Sequence, residues 1–231
     1  MLLNMRTLCH EPLSPFCRKI RIILAEKGLP FELREENIWQ PSDDFFQLNP
    51  AGTVPVLIDE TVNGKSKTVV AHSTAIMEYL EETYPKIRLL PGSATDRAEC
   101  RRLVAWFDEK FNTEVTLNLL FEKIQKRYAG YGPPDMEELR IGLKNLQMHL
   151  DYLSELIDKR NWLGGNRFSL ADIAAASHLS AIDYLGDVPW ANFEIVKNWY
   201  ARIKSRPSFR PLLADRIPGM PPPRHYDDLD F

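Results

Sequence analysis

The apolar residues of this chain change their period near residue 90, and that change restricts the fold more than any single motif does. Before it, short β-rich runs alternate with helical spacing. Met5–Leu8 and Phe31–Leu33 read as strands, and Phe16, Ile20, Ile23 and Leu24 recur at helical intervals between them. "TVPVLID" and "SKTVVA" form two further β-rich runs around Asn63-Gly64, the dipeptide of a tight hairpin turn. A helix follows from Ser73 and stops at Pro85. From Asp96 onward strand signals nearly vanish. Leu103, Val104, Phe107, Phe111 and Val115 make one helical stripe, which Leu120 and Ile124 resume slightly out of phase. Leu146, Leu150, Leu153 and Leu156 make a second stripe, and Ile195, Trp199 and Ile203 a third.

These periods predict an α/β domain over residues 1–86, a linker at 87–95, an all-α domain over 96–215 and an extended tail at 216–231. Net charge is −3, which gives no support to non-specific nucleic-acid binding. The basic run Arg97–Arg102 is broken by Glu99 and reads as a solvated helix face. Cys9, Cys17 and Cys100 have neither disulfide nor metal-ligand spacing, so no metal site is expected and a reducing compartment is. No stretch is apolar enough for a signal peptide or a membrane span, so a cytosolic protein is expected.

Four stretches carry chemistry. In "EPLSPFCRKIRI", Ser14 precedes a proline suited to the first helical position, so its hydroxyl can cap the helix. The same helix N-terminus would also stabilise a thiolate brought to Ser14. Cys17, three residues on, is a structural thiol or a reactive one. In "NPAGTVPVLID", a cis Val54–Pro55 bond would leave the N–H and C=O of Val54 open to an added strand, whereas a trans bond would make a surface turn. In "VVAHSTAIMEYL", Ser73 can cap a helix whose first N–H groups can hold a carboxylate, and His72 sits just before it. In "GGNRFSLADIAAASHL", Ser169 and Asp172 form a capping box for an Ala-rich helix. Trp39, in the loop "NIWQPSDDFFQLNP", either covers the core or anchors a partner.

Together these stretches resemble the glutathione transferase superfamily over about residues 5–210. The resemblance implies a thioredoxin-like α/β domain, a C-terminal helical bundle and a homodimer. It also implies a glutathione site with the catalytic hydroxyl at Ser14, a backbone contact at Val54 before cis-Pro55, and the γ-glutamyl carboxylate at Ser73. One departure is specific: the family usually places an acidic residue before that serine to meet the ammonium of glutathione, and here it is His72. Losing a charge-assisted contact costs roughly 1–3 kcal/mol, one to two decades in affinity. A thiol oxidoreductase using Cys17 is a weaker third reading, because Ser14 stands where a C-x-x-C pair has its first cysteine.

The tail "PPPRHYDDLDF" has no evident use in conjugating a small electrophile. Three prolines stiffen its approach. Arg224, His225, Tyr226, Asp227, Asp228, Leu229, Asp230 and Phe231 then offer carboxylates interleaved with apolar anchors. The segment either packs on its own domain or serves, with Trp39, as a protein-binding motif. With this tail and His72, the chain is similar to the transferase-like cell division proteins of alphaproteobacteria. That resemblance implies FtsZ as partner, a non-enzymatic dimer that affects filament organisation during constriction, and a place at the division site. An active glutathione transferase using Ser14 is the alternative.

Overall fold

β1 (Met5–His10) is the strand on which the first unit is built. In the computed structural model, which describes residues 5–60 and 66–229, it pairs in parallel with β2 (Glu32–Glu35) and antiparallel with β3 (Val56–Glu60). β4 (Lys67–Ala71) adds antiparallel to β3, giving the order β2-β1-β3-β4. The turn read at Asn63-Gly64 lies outside the described residues. α1 (Pro15–Glu26) makes the crossover between β1 and β2, and it ends where Gly28 takes a φ of +66 that a side chain would disfavour. α3 (Ser73–Thr83) follows β4 and packs beside α1.

The stretch between β2 and β3, a loop by sequence, holds a short helix, α2 (Asp43–Leu48). Ser42 caps it, accepting from the Phe45 amide at 3.2 Å, so that Phe45 is buried against Cys9, Val56 and Ile58. A polar cluster ties the far end of the sheet together. Arg6 pairs with Asp59 at 3.3 Å, Tyr79 donates to Asp59 at 3.0 Å, and Tyr84 donates to the same carboxylate. The chain divides into two compact units, Met1–Leu89 and Leu90–Phe231.

The second unit is helical. α4 (Ala94–Ala105) runs directly into a π-type helix, Trp106–Gln125, which leaves through a last α turn at Lys126–Tyr128. The π winding explains the phase slip seen in the sequence. Its i→i+5 hydrogen bonds take more residues per turn than an α-helix does. Buried Phe107, Phe111, Val115 and Leu119 accordingly recur every four residues, with Ile124 five further on. α5 (Met136–Lys159) lies against this segment, and Gly142 allows a close contact, since an added Cβ would sit 2.8 Å from Asn118 Cβ.

α6 (Leu170–Tyr184) is buried along its whole length. Its capping box forms: Asp172 accepts from the Ser169 amide at 3.0 Å and hydroxyl at 2.9 Å, and also from the Leu163 amide and the Trp199 indole. α7 (Glu194–Lys204) buries Val196, Trp199, Tyr200, Ile203 and Lys204. Ile195, placed on the buried face by the sequence reading, is instead 36% exposed. A strict spacing of four, carried back from Trp199 and Ile203, selects the residue beside Val196. In the basic run, Arg102 bonds to Glu99 at 2.7 Å, as does Arg160 at 2.9 Å, and Arg101 and Arg102 are exposed. Among the described residues no helix is long and apolar enough to cross a membrane, and no group of three or more His, Cys, Asp or Glu side chains is placed to hold a metal.

Candidate functional site

One row of the sheet gathers the first set of candidate residues. Cys9 of β1 faces Val56 of β3, which faces Ala71 of β4. Ser14 follows that row on β1, Pro55 precedes it on β3 and His72 follows it on β4, so all three leave the same edge of the sheet. The Val54–Pro55 bond is cis. Neither the N–H nor the C=O of Val54 has a hydrogen-bond partner among the described residues, while the Pro55 carbonyl accepts from the His72 amide at 3.2 Å. That last bond places the start of α3 beside the proline.

Ser14 is the cap of α1. It is buried, and its Oγ accepts from the Cys17 amide at 3.4 Å. Cys17 is fully buried, and that burial pushes its thiol up to about 12. Burial of this kind disfavours the thiolate at neutral pH.

At α3 the capping role differs from the sequence reading. Ser73 opens the helix and is buried, but His72 caps it, its Nδ1 accepting from the Thr74 amide at 3.4 Å. To do so His72 takes φ 75 and ψ 129, the only positive φ among the described non-glycine residues. Strain of this kind persists where surrounding structure over-determines it, and it clusters at ligand sites. The sequence had no signal for it, because the constraint comes from the Pro55 carbonyl holding the His72 amide. Trp39 is half-buried, with its amide donating to Asn37 Oδ1 at 3.1 Å in a side-chain-closed turn.

The tail follows the other branch of the sequence reading. Described as far as Leu229, it packs on its own unit. Tyr226 is fully buried, its ring edge-on to Tyr184 at 5.2 Å and its hydroxyl donating to the Leu212 carbonyl at 3.3 Å. As an anchor offered to a partner, Tyr226 is therefore corrected to a core residue. Lys204, itself buried, donates to the carbonyls of His225 at 3.2 Å and Asp228 at 2.6 Å. Burial lowers the pKa of this lysine from its usual range, opposed by the nearby carboxylates Asp183, Asp228 and Asp227.

His225 meets the fully buried Asp183 at 2.9 Å, and Trp190 donates to the same oxygen at 2.8 Å. Arg216 pairs with Asp227. The expected extended tail also contains a short 3-10 turn at Arg224–Tyr226. Arg224, Asp227 and Asp228 remain exposed. Asp230 and Phe231 lie outside the described residues. Sequence reasoning missed Lys204 as the clamp, although a lysine one position after Ile203 in an apolar stripe was the available signal.

These geometries place the chain among known proteins. The model of the glutathione S-transferase N-terminal domain matches residues 13–83, and that of the C-terminal domain matches residues 126–202. The chain belongs to the glutathione S-transferase family. As a member it is 50% identical, over 226 residues and 98% of each chain, to FtsZ-localized protein A of Caulobacter vibrioides. The solved structure of FzlA from C. crescentus matches with a TM-score of 0.95 and 50% identity, covering 98% of this chain and 100% of that one. A solved glutathione S-transferase from Rhodospirillum rubrum F11 matches with a TM-score of 0.94 and 52% identity, at the same coverage. Similarity of this level to a protein called a transferase and to one called FtsZ-localized shows the family, and the choice between those roles falls to the site.

Proposed function

We propose that this transferase-family chain is a non-enzymatic cell division protein that binds FtsZ filaments as a homodimer and affects their organisation during constriction. The observation that carries the reading is the 50% identity to FtsZ-localized protein A along 98% of both chains. His72 supports it from the site: at the start of α3, where the family carries an acid for the ammonium of glutathione, this chain has an exposed imidazole. A dimer would double each filament contact and raise avidity without new chemistry. The groove between the π-type helix and α5, lined in part by Trp106, Met148 and Tyr152, offers a second copy apolar surface, with Met148 52% exposed. Cytoplasmic placement at the division site follows from the same reading.

A second reading rests on a specific observation. Ser14 capping α1, cis-Pro55 and a Val54 backbone that meets no hydrogen-bond partner among the described residues keep the frame of a glutathione site. Under it the chain is an active glutathione transferase whose Ser14 stabilises the thiolate.

Parallel calorimetry with glutathione and cosedimentation with polymerised FtsZ separate the two. The division reading expects filament binding with little or no glutathione binding at millimolar concentration. Tight glutathione binding, with a rate loss in Ser14→Ala and no cosedimentation, would overturn it. The tail contribution is tested by Arg224→Ala with Asp227→Ala and Asp228→Ala. Deleting residues 224–231 is the poorer test, because it also strips Tyr226 from the core.

A further inference from the structure

β2 (Glu32–Glu35) is an edge strand of the sheet, and all four of its residues are exposed. Its inner side is fixed by β1, with Leu33 opposite Leu8 and Glu35 opposite His10. The Glu36 amide donates to the His10 carbonyl at 3.0 Å. Backbone groups alternate sides along a strand, so Glu32, Arg34 and Glu36 turn theirs toward β1, and Leu33 and Glu35 turn theirs outward. Among the described residues nothing meets those outward N–H and C=O groups.

The uncompensated side-chain charge along this edge is of one sign. Arg34 pairs with Glu36, its Nε 2.6 Å from that carboxylate. Glu32 and Glu35 meet no cation or donor among the described residues. Leu33, 44% exposed, stands between the pair and Arg34, and its side chain shares a sheet face with that of Glu35. Short, charged edges commonly keep strands from pairing. Here the charge left over is acidic, so the edge repels an acidic strand and favours a basic one.

We propose that β2 takes an added strand from a basic, extended segment of a partner protein. An antiparallel strand exchanges N–H and C=O bonds with Leu33 and Glu35. In that register a lysine or arginine lies opposite Glu35, an uncharged residue opposite Arg34, an aliphatic one opposite Leu33 and a second cation opposite Glu32. The main chain supplies the affinity, and the two carboxylates choose the partner. The inference goes beyond the filament-binding reading and does not rest on it.

The test titrates the full chain with a labelled Thr-Lys-Thr-Val-Lys-Thr peptide in fluorescence anisotropy. Wild-type binding is expected, and Glu32→Lys with Glu35→Lys should weaken it roughly tenfold or more. Glu32→Gln with Glu35→Gln, which adds no repulsion, should weaken it several-fold, and melting curves check that both variants fold. Methylating the peptide nitrogens of the first lysine and the valine, which face β2, should abolish binding while keeping every charge. Methylating those of the central threonine and the second lysine, which face away, should leave it nearly unchanged. No wild-type binding, binding that survives the charge reversal, or methylated peptides that bind alike overturns the proposal. Self-association of the chain that the same reversal abolishes, without peptide binding, overturns the assignment and gives the edge to a second copy.

Discussion

The edge of the sheet in the first unit and the tail of the second unit were the two candidate regions, and their physics is opposite. At the sheet edge the backbone is prepared and the side chains are sparse. Val54 meets no hydrogen-bond partner among the described residues, His72 holds a strained φ, and Ser14 caps a helix end. In the tail the side chains are rich in chemistry and the backbone is already spent. Lys204 takes two of its carbonyls, and Tyr226 fills the core. A region can therefore have a prepared backbone with few charged side chains around it. Another can look like a free recognition motif while half of it stabilises the domain.

The largest expected effect separates these roles in the tail. Tyr226→Ala removes a fully buried aromatic ring and should cost about 3–5 kcal/mol in denaturant unfolding. A cost under about 1 kcal/mol would restore Tyr226 as a surface anchor and break the contrast. At the sheet edge, His72→Glu supplies the missing acid and should raise glutathione affinity roughly tenfold or more in calorimetry. No change would mean that more than one charge has been lost.

The smallest effect tests the Glu99 carboxylate and its two arginines. Arg102 first, and Arg160 after it, hold the Glu99 carboxyl down to about 2. A depressed folded-state value stabilises the fold above the ordinary carboxylate range and loses that contribution as pH falls toward 2. Because the pair is solvent-screened, Glu99→Gln should cost less than about 1 kcal/mol at pH 7 and nothing near pH 2. Melting curves across that window check the sign.

Local signals made much of the fold readable. Pro15 after Ser14, the Ser169–Asp172 box and the leucines of α5 act within a turn or two of chain, so composition and spacing reported them directly. The π winding was legible only as a slip between Val115 and Leu120. Ile195 was misplaced because periodicity selects a face to within about one residue, whereas packing selects the side chain.

By itself the sequence determined that an α/β unit precedes a helical one, where the helices begin, and that an acid is missing before Ser73. Only the tertiary structure decided that His72 does the capping, that Tyr226 belongs to the core, and that Leu33 and Glu35 turn their backbone groups outward. Each of those outcomes is set by a partner distant in the chain: Pro55 for His72, Tyr184 for Tyr226, and β1 for the strand that holds Leu33 and Glu35. Short-range propensity fixes a residue's element, but its neighbours across the fold fix what it does.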